Sequence, residues 1–330
     1  MTVQITIIGM GQIGTSIGLA LADHTEKIYR VGHDIRNGLS RDAEKSKAID
    51  KSIPNLYAAV KEANIIILAI PVDQVRETLE LISGDLQEGS VVMDTSTCMV
   101  ATNEWAKELL PPDRHYVTIH PSINPEYIDE LASGGEAAHA DLFKKGLMVI
   151  TTPPGGDTNA IRLATELAAL LGATPFYVDS HEFDGLSAAT NLLPQIMAAA
   201  LVNSTIDQPG WTEGRKLASQ FYAHATKPLL YLEEEKNYGQ TALLNKENAS
   251  RVINDLMFAL RDLRDAIADG DEKAVEKLFT HAQIGRADWW SQRMGADWDR
   301  DDRKPEMPSA GESITRFFAG GLFKRRKEEK

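Results

Sequence analysis

The histidine best placed for catalysis is His120, which directly follows the apolar run Tyr116–Ile119 and precedes Pro121. We predict a β-strand for that run, and open α/β sheets bind their ligands beyond the carboxyl ends of strands. Histidine titrates near neutral pH, so it can accept a hydroxyl proton from a substrate. His120 is therefore the candidate general base. Most of the other histidines lie in predicted turns or helices, where a solvated or capping role is expected.

A glycine-rich turn follows the first predicted strand and opens a helix, with the sequence Gly9-Met10-Gly11-Gln12-Ile13-Gly14. In that setting the pattern is typical of dinucleotide binding, because its glycines allow a tight turn and close approach to a pyrophosphate at the helix N-terminus. Asp34 lies 20 residues after Gly14, at the end of the second predicted strand, where an acidic residue binds adenosine ribose hydroxyls. The candidate cofactor-binding residues here are Gly9, Gly11, Gln12, Ile13, Gly14 and Asp34.

The charges beside this turn bear on the choice of dinucleotide. Asp34 favours NAD, since its carboxylate would repel a 2′-phosphate. Arg36 could pair with such a phosphate, which leaves NADP as the less favoured alternative. We otherwise interpret Arg36 as a solvated cation at the edge of the cofactor site.

Hydroxyl groups end another predicted strand, in the segment Asp94–Thr97. They can cap the following helix or contact a substrate and a nicotinamide, and both roles stay open. Thr97 is the candidate catalytic hydroxyl and Thr95 a cofactor contact, while Pro71 is expected to form a rigid turn beneath the cofactor. Cys98 is expected to be a packed side chain rather than a nucleophile. No metal-ligand spacing is present, so no metal is expected.

The elements that must position these residues alternate between short apolar runs and helical stretches. Runs of this kind are typical of parallel strands buried on both faces. They predict an N-terminal Rossmann-type, doubly wound α/β domain over residues 1–179. The predicted strands are Val3–Ile8, Ile28–Asp34, Ile65–Ile70, Ser90–Asp94, Tyr116–Ile119, Leu147–Thr151 and Pro175–Val178.

Beyond Asp179 only helical patterns continue. Leu186–Val202 is apolar on nearly every side and predicts a buried central helix, and Leu256, Leu260, Leu263 and Ile267 form an amphipathic stripe. We therefore predict an all-α dimerisation and substrate domain over residues 180–300, followed by a polar tail over 301–330. One edge of an α/β sheet cannot cover both apolar surfaces, so a homodimer is expected.

Composition limits the classes of function. The 330 residues contain 35 Lys and Arg against 48 Asp and Glu, a net charge of −13, with 43% hydrophobic residues and one cysteine. This composition is that of a globular protein and lacks the basic surface of a nucleic-acid-binding protein. No apolar run reaches the ~20 residues of a membrane span, so we expect no membrane association. The single cysteine and the absence of a recognisable targeting segment favour a cytoplasmic location.

The sequence resembles the prephenate/arogenate dehydrogenase family from about Thr2 to Trp290. Such a resemblance implies NAD(P)-dependent oxidative decarboxylation of prephenate to 4-hydroxyphenylpyruvate, or of arogenate to tyrosine, in tyrosine biosynthesis. It also implies that His120 is catalytic and that the substrate is a small carboxylate. The motifs that carry it are Gly9–Gly18, Asp94–Thr97, His120-Pro121, Ser133-Gly134, Asp141-Leu142-Phe143 and Asp184–Val202.

Several positions depart from the family pattern. His120 and Ser133 are 13 positions apart, a longer spacing than the family has between these motifs. Leu192 and Gln195 stand where the family has two histidines. Its substrate-binding arginine falls at or beside Lys216, next to Arg215, and lysine lacks the planar fork of arginine. The resemblance thus implies Lys216, Arg215 and Ser133 as substrate-binding residues.

Two other functions stay open. One is a dehydrogenase of another small hydroxy acid, because Asp94–Thr97 also resembles the strand end of β-hydroxyacid dehydrogenases. Those enzymes carry a catalytic lysine on the first helix after the Rossmann domain, and none lies between Asp184 and Val202. The other is an NAD-binding protein without turnover, which the missing histidines favour and the retained His120 opposes.

Overall fold

The computed structural model describes residues 2–130, 132–153, 155–231, 237–296 and 298. These residues form two compact units, of which the second is His181–Ser291 and the first contains the chain up to Ser180 together with the chain from Gln292. The helical domain predicted from the sequence extends to residue 300, whereas the structure returns the chain to the first unit at Gln292. The predicted tail over 301–330 lies outside the described residues.

The first unit is built on one eight-stranded sheet with the order β3-β2-β1-β4-β5-β6-β7-β8. All neighbouring strands are parallel except β6 and β7, which are antiparallel. The strands are β1 Val3–Ile8, β2 Ile28–His33, β3 Lys51–Ser52, β4 Ile65–Leu68, β5 Val91–Asp94, β6 His115–Pro121, β7 Leu147–Thr151 and β8 Thr174–Tyr177.

Helices cover both faces of this sheet and bury the alternating side chains of its strands. Ile5, Ile7 and Ile65 belong to one buried cluster, whereas Ile66 and Leu68 belong to another. Burial on two faces explains why the strands are continuous apolar runs. The helices of this unit are α1 Gln12–Ala20, α2 Asn37–Lys45, α3 Leu56–Val60, α4 Val72–Ile82, α5 Met99–Leu109 and α6 Thr158–Leu170.

The antiparallel β7 corrects the expectation of a wholly parallel sheet. A parallel connection needs a crossover over one face of the sheet. In the segment 122–146 the described residues instead form short 3₁₀ turns at Pro125–Tyr127 and Gly134–Ala137, and the segment starts and ends at the carboxyl end of β6. The chain therefore re-enters the sheet from the same edge. The two-residue β3 was also missed, because it is too short and polar to show a pattern.

The second unit is helical throughout its described residues. A π-helical turn, Ala188–Leu192, joins the first two helices into one continuous element. The prediction of a Rossmann-type domain followed by a helical region is confirmed. The helices are α7 Ser180–Ser187, α8 Leu193–Asn203, α9 Trp211–Leu217, α10 Gln220–Thr226, α11 Asn237–Leu244, α12 Lys246–Ala268 and α13 Glu272–Gly295, the last of which ends in the first unit.

The continuous element Ser180–Asn203 is not the buried helix that its composition predicts. It packs against α10 and α12, yet Leu186 and Met197 are 47% and 44% exposed in the single chain. Its 24 residues are long and apolar enough to cross a membrane, by length and composition alone. That is weak evidence, because core and interface helices of proteins without any membrane span share these properties.

Candidate active site

The glycine-rich turn has the shape that a dinucleotide phosphate requires. Gly9 has φ +96°, and a Cβ there would lie 2.2 Å from the carbonyl oxygen of Ala69. A Cβ at Gly14 would lie 1.9 Å from the carbonyl oxygen of Gly9, whereas one at Gly11 would meet nothing within 4 Å. Packing thus requires Gly9 and Gly14, and the open space at Gly11 lets a ligand approach the start of α1. The residues present fit a pyrophosphate at this helix N-terminus.

Asp34 is held directly against this turn. Its Oδ2 accepts a hydrogen bond from the backbone N–H of Met10 at 2.8 Å, and its Oδ1 accepts one from the backbone N–H of Arg36 at 2.8 Å. The Arg36 guanidinium is more loosely placed, with Nε 3.9 Å from Asp34 Oδ1 and a side chain that is 60% exposed. The carboxylate therefore lies at the end of β2 beside the space for a dinucleotide, while Arg36 faces solvent.

The ends of four parallel strands place His120 on the same edge as the glycine-rich turn. The backbone N–H of Ala69 donates to the carbonyl oxygen of Ile8 at 2.8 Å, and that of Thr95 donates to Leu68 at 3.0 Å. His120 follows on β6, with Nδ1 3.0 Å from the carbonyl oxygen of Thr95. These contacts run from β1 through β4 and β5 to β6, along the edge where open α/β sheets bind ligands.

The hydrogen bond to Thr95 determines the tautomer of His120. A carbonyl oxygen only accepts, so Nδ1 carries the proton and the lone pair of the neutral ring is on Nε2. Burial lowers the pKa of His120, although the bond to Thr95 acts in the opposite direction. The imidazole is therefore neutral at pH 7, which is the protonation state a general base needs.

The remaining predicted residues of the first unit lie near this edge in different settings. Pro71 precedes α4 at its N-cap position, and the Thr95 hydroxyl donates to the carbonyl oxygen of Leu68 at 3.1 Å. Thr97 is half-buried in the turn before α5. A hydroxyl in that position can bind a substrate.

The segment 122–146 packs onto the first turns of α1. Gln12 donates through Nε2 to the carbonyl oxygen of Ala137 at 3.0 Å, and the backbone N–H of His139 donates to Ser16 Oγ at 3.0 Å. Ser133 lies exposed just before the 3₁₀ turn Gly134–Ala137. The segment that follows His120 is therefore anchored to α1 at two points.

Sequence reasoning missed a cluster within that segment. The ring of Tyr127 stacks on His139 with centroids 3.9 Å apart, and His139 Nε2 lies 2.8 Å from Glu130 Oε2. Tyr127 donates its hydroxyl to Asp141 at 2.8 Å, a bond that raises the pKa of Tyr127 to about 12. His139, expected to be solvated or capping, is instead part of this packed cluster. Sequence spacing carries no signal for it.

Arg215 and Lys216 lie in the second unit, on the short exposed helix α9. Lys216 Nζ is 2.6 Å from Glu213 Oε2, one turn earlier on the same helix. Their proposed contact with a substrate carboxylate stays a prediction. Among the described residues, no group of three or more His, Cys, Asp and Glu side chains could hold a metal ion.

Comparison with known proteins identifies the relatives of this fold. The family model "Prephenate dehydrogenase, nucleotide-binding domain" matches residues 17–176. A prephenate dehydrogenase from Lactococcus lactis is 27% identical over 280 residues, which cover 84% of this chain and 74% of that protein. One from Bacillus subtilis is 28% identical over 204 residues, or 61% of this chain and 53% of its own length. These matches support membership of the prephenate/arogenate dehydrogenase family at low identity.

Solved structures described as prephenate dehydrogenases share this fold over most of the chain. One from A. aeolicus, in complex with hydroxyphenyl propionate and NAD+, has a TM-score of 0.76 at 20% identity, over 87% of this chain and 98% of that one. A putative prephenate dehydrogenase from Corynebacterium glutamicum has a TM-score of 0.71 at 18% identity, over 96% and 97%. At these identities the likeness establishes the fold.

Proposed function

We propose that the protein oxidises and decarboxylates prephenate or arogenate, with NAD as the hydride acceptor. It is an NAD-dependent dehydrogenase by its family. The observation that carries the proposal is the placement of His120, whose Nδ1–H donates to Thr95 at 3.0 Å on the edge that also holds the glycine-rich turn. A neutral base thus lies beside a dinucleotide site, as oxidation of an alcohol requires.

Residues of this chain can bind the cofactor and accept the proton that the substrate releases. Gly11 and the start of α1 would hold the pyrophosphate, and Asp34 the adenosine ribose. NAD held there would supply the acceptor for the hydride from the ring carbon that bears the hydroxyl. His120 accepts the hydroxyl proton at Nε2 as that carbon becomes a carbonyl. The ring carboxylate then leaves as CO2, the electrons of the broken C–C bond make the ring aromatic, and the new phenolate takes the proton back from His120.

Substrate recognition is assigned to hydroxyl groups and to cationic side chains. We assign the Thr97 hydroxyl to the reacting end of the substrate. Lys216, Arg215 and Ser133 are assigned to substrate carboxylates, which cationic and hydroxyl donors bind. In the cytoplasm, the reaction would belong to tyrosine biosynthesis.

A second candidate is a dehydrogenase of another small hydroxy acid on the same scaffold. It is favoured by Leu192 and Gln195, two side chains without a titratable group on the helical element around the π turn Ala188–Leu192. They occupy the positions that resemble the two histidines of the family. π turns are frequent at functional sites, so the change falls where substrate contacts are expected.

A substrate panel separates these candidates. Purified protein with NAD is offered prephenate, arogenate and simple 2- and 3-hydroxy acids, and NADH formation is followed at 340 nm. We expect turnover with prephenate or arogenate and little with the simple acids. Turnover of a simple hydroxy acid alone would favour the second candidate. Binding of NAD with no turnover of any substrate would contradict both.

We also propose that the second unit forms a homodimer. Large apolar side chains of α12, among them Met257, Phe258 and Leu260, are exposed in the single chain, as is Met197 of α8. Exposed apolar surface of this extent marks an association site, and a second copy of the chain is the simplest cover.

A further inference from the structure

One peptide group lies between His120 and a buried carboxyl group. The carbonyl oxygen of Thr95 accepts the Nδ1–H of His120 at 3.0 Å, and the N–H of the same peptide group, from Ser96, donates to Asp94 Oδ1 at 3.1 Å. A peptide group is planar and delocalised, so its N–H and C=O polarise together. A negative charge at the N–H end therefore strengthens the hydrogen bond at the C=O end.

The surroundings of Asp94 supply donors for a carboxylate. The side chain is fully buried, and its Oδ2 accepts hydrogen bonds from Ser96 Oγ and from the hydroxyl of Tyr116, the latter at 2.8 Å. Burial raises the pKa of Asp94 above its ordinary value, and the bonds from Ser96 and Tyr116 act in the opposite direction. Three donors directed at two oxygens are all satisfied when the group is ionised. Among the described residues, no lysine or arginine forms an ion pair with it.

We propose that Asp94 is a positioning residue that acts on His120 through the peptide group between Thr95 and Ser96. It holds the carbonyl that determines the tautomer of His120, and it stabilises the imidazolium that forms when Nε2 accepts a proton. The charge of a carboxylate thus reaches the base without direct contact. The inference rests on the proposed role of His120 as the base.

The carboxylate also offsets a cost of the site. Burial disfavours the charged form of His120. A base that is too weak would take the hydroxyl proton poorly. The polarised peptide restores part of the basicity that burial removes. Tyr116 is the other titratable group at this carboxyl, and burial raises its pKa well above the ordinary value, so it stays a neutral donor.

The test measures the pKa of His120 directly, by NMR titration of its imidazole in the unmodified protein and in two variants. Asp94→Asn keeps the shape and removes the charge, so we expect the pKa of His120 to fall by about one pH unit. Tyr116→Phe removes a donor from the same buried group but keeps its charge, so the pKa of His120 should stay in place or rise. In a profile of kcat against pH, the midpoint of the acid limb should move to lower pH in Asp94→Asn and should not fall in Tyr116→Phe.

Two results would overturn the inference. One is an unchanged pKa of His120 in Asp94→Asn, and the other is an equal fall in Tyr116→Phe, which would indicate general disruption of the site. Should Asp94→Asn not fold, the unmodified protein still tests the inference. The chemical shift of the Ser96 amide proton should then change with pH at the same midpoint as the titration of His120. A Ser96 amide proton whose chemical shift does not change at that midpoint would contradict the coupling. Since the titration needs no substrate, absence of prephenate turnover would count against the proposed function alone.

Discussion

Two properties of His120 make it suited to act as a base, and each has a separate cause. The carbonyl of Thr95 fixes the proton on Nδ1, so the reactive lone pair is on Nε2. Burial lowers the pKa of the ring from its ordinary value near 6.5. Because the pKa of His120 is lowered, the neutral form of the base persists to more acidic pH. Activity should therefore rise with pH through a midpoint below 6.5, which a profile of kcat against pH would measure.

Replacement of the base gives the strongest residue-scale prediction. His120→Asn retains hydrogen-bonding shape but cannot accept the proton, so turnover should fall roughly 10²–10⁴-fold. NAD affinity, measured by calorimetry, should scarcely change. His115→Asn, at the opposite end of the same strand, is the matched control and should keep kcat. Full activity in the His120 variant would remove this residue from the mechanism.

Asp34 should decide between the two dinucleotides. We expect NAD to bind more tightly than NADP, and Asp34→Ser to weaken NAD selectively and reduce the preference. Because Asp34 also accepts from the Met10 N–H at 2.8 Å, Asp34→Asn is the control that keeps an acceptor there while losing the charge. Calorimetric titration with both cofactors is the measurement. Equal affinities in the unmodified protein would contradict the assignment.

At the scale of elements, the start of α1 must satisfy close packing at Gly14 and ligand access at Gly11, and two variants separate these requirements. Gly14→Ala would put a Cβ 1.9 Å from the carbonyl oxygen of Gly9, so we expect a clear loss of thermal stability without cofactor. Gly11→Ala meets nothing within 4 Å and should fold with nearly unchanged Tm. Its methyl group would obstruct the pyrophosphate and weaken NAD binding by about tenfold or more, or about 1.4 kcal/mol. Unchanged NAD affinity in Gly11→Ala would place the phosphates elsewhere.

The segment 122–146 shows how an element without regular structure can be held in place. Its two anchors on α1 are the bonds from Gln12 to Ala137 and from His139 to Ser16. Within the segment, the stacked pair Tyr127 and His139 adds rigidity through aromatic contact. The longer spacing of this chain therefore gives a packed structure beside the dinucleotide site.

For the whole molecule, the exposed apolar side chains of the second unit predict self-association. Sedimentation at micromolar concentration should give a mass near twice 36.3 kDa. Leu260→Glu, on α12, should shift the protein toward the monomer, because it places a charge on the proposed contact surface. Leu81→Glu, at an exposed leucine of α4 in the first unit, is the matched control and should not. A single species near 36 kDa for the unmodified protein would contradict the dimer.

The sequence alone determined seven of the eight strands in the described residues, the helical second half and the glycine-rich turn, but not the two-residue β3. Continuous apolar runs such as Val3–Ile8 and Ile65–Leu68 are local signals, because burial on both sheet faces acts on each residue of the strand. The spacing of Gly9, Gly11 and Gly14 is equally local. Position at a strand end likewise pointed to His120 as the candidate base.

Only the tertiary structure decided which groups meet at that strand end. The bond from His120 to Thr95 joins residues 25 positions apart, and the stack of Tyr127 on His139 has no periodic signal. The antiparallel β7 follows from a segment that packs on α1 instead of crossing the sheet. The apolar helix Ser180–Asn203 predicts burial, but its composition cannot say what covers it. Such features depend on contacts between segments distant in sequence, whereas composition and periodicity report only how each segment meets water.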